Sequence, residues 1–193
     1  NNAFGVVGVA PAVKIWGVKA LDREGVGTDE AVTAGIDWTI GKAKELGGRW
    51  VVNMSLTATN PSDSEELAMG RALAEGTIDL IASDHSPCPP AMKKLERGDF
   101  VTAWGGIGSV ELLLAAVWTG AAQHGLPLAR VARLLCTAPA ELAGLKSRKG
   151  SIAVGLDADL VMWDPDAEFT VDQRRLRQRN KVTPYDGLRL RGA

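Results

Sequence analysis

Two cysteines and two histidines in 193 residues leave this chain little of the usual material for cross-links or metal clusters. Cys88 and Cys136 are too few for a disulfide framework and lack the paired spacing of a structural zinc site, so a reducing, cytoplasmic setting is expected. An excess of charge of one sign is also missing: 22 Lys and Arg stand against 23 Asp and Glu. No global field therefore draws the chain to nucleic acid or to an anionic membrane, both of which are bound largely through clustered Lys and Arg. The one basic run, RRLRQRNK at 174–181, has no interleaved aromatic rings on which bases could stack, so it reads as a solvated face. No stretch approaches the roughly 18 consecutive apolar residues of a membrane span, and no charged-then-apolar signal segment opens the chain. The first residues, NNAFGVVGVAP, have the character of a chain interior.

What is present is the composition of a globular protein, 46% apolar and 23% charged. VKIWGVKAL (13–21) is strand-like, DREGVGT (22–28) a glycine-bearing loop, and Asp29 a plausible N-cap. Val32, Ile36, Ile40 and Ala43 then recur at helical spacing until Gly47 and Gly48 stop them. WVVNMSL (50–56) follows as a second strand, so 13–56 is expected to form a right-handed strand-helix-strand unit with parallel strands. A polar loop, TATNPSDSEE, leads to a helix at about 63–75 ended by Gly76, and TIDLIAS (77–83) is a third strand. A polar loop, a long apolar helix at about 109–124, a helix at about 128–136 and a short one introduced by Pro139 complete this part. The tail, SIAVGLDADLVMWDPDAEFTV, alternates apolar runs with turns and predicts a small β module.

The turn at the end of the third strand, DHSPC (84–88), carries the chemistry-bearing residues. In parallel α/β folds reactive groups gather at the carboxyl ends of strands, where an acid can bind a cation or accept a proton from a metal-bound water. By spacing alone, Asp84 fits that role or the plainer one of capping a turn before Ser-Pro.

Five motifs in order carry a resemblance: ALAEGTIDLIASDHSPC (72–88), GDFVTAWGGIGSVE (98–111), CTAPAELAGL (136–145), KGSIAVGLDADLVMWDP (149–165) and NKVTPYDGLRLRG (180–192). From about residue 62 onward the chain resembles the C-terminal part of the allantoinases, cyclic amidohydrolases related to dihydroorotases and hydantoinases. The resemblance implies that Asp84 is a zinc ligand and the proton acceptor and donor of ring opening. It also implies that the loop of Trp104, Gly105, Gly106 and Ile107 presents backbone groups to a small cyclic amide. His85 and Ser86 would shape the turn, and Cys88 would either fill space or touch substrate.

In such a site two metal ions lower the pKa of a bridging water and polarise the amide carbonyl. The family builds it from an H-x-H pair, a carboxylated lysine and two further histidines before the acid of the last strand. None of these first five ligands is in this chain, and His124, at the far end of the long helix, reads as a surface or packing residue. Zinc is thus implied by resemblance, with tight binding by this chain alone not expected.

Residues 1–57 resemble a different class, the subtilisin-like serine proteases, through the GVAP turn, VKAL, AGIDW and WVVNMSL. Asn53, Met54, Ser55 and Leu56 stand where that family walls its substrate cleft, with Thr57 in place of its glycine. The triad and its oxyanion donor have no counterpart here, so Ser55 is not expected to be a nucleophile. Three segments follow: 1–57 protease-like, 58–148 the C-terminal part of an amidohydrolase barrel, and 149–193 a small β module. The expected fold is α/β, an open partial parallel sheet of about three strands with helices, half of a TIM-like barrel, since a closed one takes about 250 residues. Unpaired strand edges predict marginal stability and self-association. Three readings stand: an allantoinase-like fragment inactive alone, a protease fragment, or a non-enzymatic fusion.

Overall fold

A computed structural model describes residues 14–23, 27–48, 50, 52, 72–73, 75–76, 78–96, 98 and 102–193. The chain divides into two compact units, Asn1–Ala72 and Leu73–Ala193.

The first unit is organised by helix α1, Asp29–Leu46. Thr28, not Asp29, is its N-cap: the Thr28 hydroxyl accepts the N–H of Ala31 at 3.3 Å. Asp29 and Glu30 instead place negative charge in the first turn, where the helix dipole favours it. Gly47, at φ +63°, ends the helix and donates its N–H to Ala43 O, as the paired glycines predict. Residues 14–20 do not form the expected strand; they meet the helix through side chains. Trp16 lies 6.0 Å from Trp38 and 6.2 Å from Trp50, ring centre to ring centre. A Cβ added to Gly35 would sit 3.1 Å from Val18, so the glycine allows the close approach. Most of WVVNMSL, including Ser55, and nearly all of the expected 63–75 helix lie outside the described residues.

In the second unit, a 3-10 turn at Val110–Leu112 leads into α2, Leu113–Gln123. Its alanines and leucines are strong helix formers. His124 and Gly125 close it, with Leu126 donating to Ala121 O at 2.9 Å. Helix α3, Leu128–Ala132, continues without a break through a π turn, Arg133–Thr137, into α4, Ala138–Leu142. The sequence predicts two helices here. Pro139 lacks the N–H for an α-helical bond and crowds the preceding turn, and the wider π turn just before it accommodates both defects.

The tail forms one antiparallel pair, β1 (Glu168–Thr170) with β2 (Arg189–Arg191), Phe169 opposite Leu190. It is not a separate body. Val171, Leu176 and Leu190 pack with Leu112 and Ala115 at the start of α2, while Ala121 at its other end packs with Leu126 and Val131. Each buried leucine or valine among these contributes about 1.5–3 kcal/mol. Trp118 of α2 donates its indole N–H to Pro165 O at 2.8 Å and meets Trp163 edge to face. The expected strands in SIAV and DLVMW do not form, and Ile152, Val154 and Met162 are exposed.

TIDLIAS requires the main correction. Among the described residues, 78–84 form no ladder with another strand, and the expected three-stranded parallel sheet is absent. The segment is held otherwise: Ile81 donates its N–H to Leu134 O in the π turn at 3.1 Å, and Arg130 donates to Leu73 O and Ile78 O. Backbone groups that a neighbouring strand would engage are thus satisfied by helices. One parallel contact survives, at His85 and Ile107.

Candidate functional site

The DHSPC turn begins where the TIDLIAS segment reverses. Asp84 has φ +44°, a left-handed conformation that short polar side chains tolerate but that other residues avoid. The Ser86 hydroxyl donates to the Asp84 carbonyl at 3.1 Å and supports this turn. Asp84 is itself exposed.

Four hydrogen bonds join the turn and the serine before it to the WGGI loop and the residues just after that loop. Ser86 donates its N–H to Ile107 O at 2.9 Å. The hydroxyl of Ser109, a buried residue, donates to Ser83 O at 2.8 Å. The N–H groups of Ser109 and Val110 both donate to His85 Nδ1, at 3.0 and 3.1 Å. Gly106 presses on Ser86 so closely that an added Cβ would lie 2.2 Å from the Ser86 hydroxyl oxygen. The sequence-predicted residues Asp84, His85, Ser86, Gly106 and Ile107 are therefore one continuous rim. Trp104 and Gly105 are exposed at its far end.

His85 is a helix cap. Its Nδ1 accepts two of the donors left over at the start of the helical run, so the ring proton resides on Nε2. Cys88 is buried, which fits space filling. Lys93 enters unannounced by sequence: the ammonium at the end of the 3-10 turn Pro90–Lys93 donates to the carbonyls of Trp104, Gly105 and Gly106. Only the loop's closure brings these residues together, and no periodicity signals it.

The donor set for zinc does not fit. Among the described residues no three His, Cys, Asp or Glu side chains cluster, and the His85 Nδ1 lone pair is already engaged. His124 lies at the end of α2, exposed. Asp84 would supply a single ligand, too few to hold a catalytic ion. The rim can therefore offer one carboxylate for proton transfer and a loop of backbone dipoles. A cleft of about 390 Å³ lies elsewhere, between Val171–Arg174 and Asp186–Gly187.

The family model described as "Amidohydrolase family" matches residues 19–184, most of the chain. An allantoinase of Streptomyces avermitilis is 46% identical over 122 residues, 63% of this chain and 26% of that protein. An allantoinase of Arabidopsis thaliana is 42% identical over 123 residues, 63% of this chain and 24% of that protein. The chain thus spans about a quarter of the length of these relatives. Among solved structures, a D-hydantoinase (dihydropyrimidinase) from Thermus sp. superposes with TM-score 0.62 and 31% identity over 71% of this chain and 30% of that one. An L-hydantoinase (dihydropyrimidinase) from Arthrobacter aurescens gives 0.64 and 29% over 86% and 38%.

Proposed function

The chain belongs to the amidohydrolase family, and from that premise we propose that it is part of an allantoinase-like hydrolase opening a small cyclic amide, with Asp84 as its proton-transfer group. The structural neighbours are barrel hydrolases of the TIM type, and this chain's helices and small sheet are consistent with part of such a barrel. One observation carries the reading: the only candidate acid of the rim, Asp84, is held in a left-handed turn beside the glycine loop. A non-glycine residue kept there by a supporting hydrogen bond is the kind of local strain that accompanies functional positions.

Ring opening adds water to the amide carbon, breaks the C–N bond, and leaves a carboxylate and a protonated nitrogen. Asp84 would take the proton from the attacking water and return it to the departing nitrogen. The WGGI loop would orient the ring through its backbone dipoles, with Trp104 covering an apolar face. Metal dependence is expected of the family, but the side chains present here do not fit a metal pair, so no step is drawn through one. For the same reason the isolated chain is proposed to be inactive. The setting is proposed to be cytoplasmic; none of the described helices is long and apolar enough to cross a membrane.

A second reading, that residues 1–57 descend from a subtilisin-like protease, rests on the sequence resemblance alone. The amidohydrolase match begins at residue 19 and overlaps that segment, which weighs against a separate origin.

The test is turnover of allantoin or dihydroorotate by the chain, alone and with Asp84→Asn. Equal and negligible rates are expected. A rate for the parent that Asp84→Asn abolishes would sink the inactivity proposal and support the role of Asp84; a rate that survives the substitution would sink that role.

A further inference from the structure

We infer that Lys93 is a positioning residue whose ammonium shapes the WGGI loop into a surface of outward-facing amide donors, an inference that rests on the amide-hydrolase reading of the rim. Its Nζ donates to Trp104 O and Gly105 O, each at 3.1 Å, and to Gly106 O. Three successive carbonyls aimed at one point repel one another through their parallel partial charges, so the arrangement requires a cation at the focus. An ammonium has three donors and supplies one to each oxygen. Charge-assisted bonds of this kind are stronger than neutral ones.

The consequence follows from peptide geometry. All described peptides are trans, so each N–H points opposite to the carbonyl of its own peptide unit. Turning the carbonyls of Trp104, Gly105 and Gly106 toward Lys93 turns the N–H groups of Gly105, Gly106 and Ile107 away from it. The Ile107 donor is taken by the parallel bridge, which turns it to the Asp84 carbonyl, so those of Gly105 and Gly106 are left to suit the oxygens of a cyclic imide or ureide, which carry partial negative charge and no proton. Two further contacts make the lysine a fixed post. Trp104 donates its N–H to Met92 O at 2.8 Å, pinning the loop's start to the residue before Lys93, and Ser86 pins its end through Ile107. The lysine is half-buried, so its stem is packed while its head is held.

The experiment uses the full 193-residue chain, labelled with nitrogen-15. In the unmodified chain the Nζ protons of Lys93 should exchange with water several-fold more slowly than those of Lys94. Lys93→Met should move the amide resonances of Gly105, Gly106 and Ile107 and speed exchange at Trp104, while those of α2 stay in place. Lys93→Arg should restore part of the pattern. Propylammonium added to Lys93→Ala should restore it further, where equal sodium chloride does not. A loop spectrum indifferent to Lys93→Met would overturn the proposal. Equal exchange at Lys93 and Lys94 would do the same without any variant, so unfolding of the variants cannot shield it. These resonances report on the loop whether or not any amide is hydrolysed, which separates this test from that of the catalytic role.

Discussion

Ser86 donates its backbone N–H to the carbonyl of Ile107 at 2.9 Å, across 21 residues of chain, and Gly106 packs against the same serine. The acid-bearing turn and the glycine loop therefore move as one body, and substitutions in either should be felt in the other.

Gly106→Ala tests that coupling directly. At φ +73° an alanine is strained, by roughly 1–2 kcal/mol, and its Cβ would collide with the Ser86 hydroxyl and carbonyl oxygens. The collision involves backbone, which cannot swing aside. Loss of the Ser86–Ile107 bond is expected, read as faster hydrogen exchange at the Ser86 amide and a lowered melting temperature. An unchanged Ser86 amide would show that the two segments are not coupled.

His85→Ala should cost about 0.5–2 kcal/mol of stability, the range for deleting a helix cap, because two N–H groups lose their acceptor. His85→Asn, which keeps a short acceptor, should cost less. Denaturant titration of the three proteins checks the order, and nitrogen-15 shifts of the imidazole should show the proton on Nε2. A ring protonated on Nδ1 would contradict the capping role.

How much of this was legible in the sequence differs by element. The Gly47 stop and the apolar helix that becomes α2 are readable, because each depends on residues within a few positions of one another. TIDLIAS does not form the strand its apolar run predicts, since residues 78–83 pair with no other strand and a ladder needs a partner of matching length. Here the helix carbonyl of Leu134 and the guanidinium of Arg130 take that place. Nothing local to Arg130 or Lys93 marks them as backbone anchors, since their partners lie 52 to 57 and 11 to 13 residues away in sequence. The π turn was missed for a related reason: Pro139 reads as a helix start, and only the packed structure shows the preceding turn widening to keep it inside.

Acid should loosen the tail. Hydrogen bonds from Arg174, side chain first and then backbone, hold the Asp172 carboxyl at about 2, below its ordinary 3.8. The folded tail thus binds this proton less readily than the unfolded chain. The stabilisation is full above the ordinary value and is lost as pH falls through about 2. Asp172 is exposed to solvent in the sense that matters for screening, so the effect should be small and weaker in salt. A carbon-13 titration of the Asp172 carboxyl should give a midpoint near 2, and Asp172→Asn should flatten this part of the acid limb. A midpoint at the ordinary value would refute the assignment.

The last prediction concerns association with a second copy. Asp164 and Ala193 exchange N–H···O bonds just beyond the end of the β1–β2 pair. Before Asp164 the chain runs on through Leu160, Val161 and Met162 without a strand partner among the described residues, and Val154 and Met162 are almost wholly exposed, at 107% and 96%. An apolar run with free backbone donors and acceptors is a template for pairing with another such run. The same segment on a second copy offers matching apolar character, and the flanking Asp157 and Asp159 carboxylates are already paired with Arg148 and Lys149, so they do not oppose its approach. Sedimentation velocity should therefore show mass rising with concentration across the micromolar range typical of such contacts, roughly 1 to 100 μM. Replacing Val154 and Met162 together by lysine should return the chain to a monomer without changing its helical signal, because neither side chain belongs to the buried clusters around α2. A parent that remains monomeric throughout, or a double variant that associates as strongly as the parent, would rule this segment out as the contact.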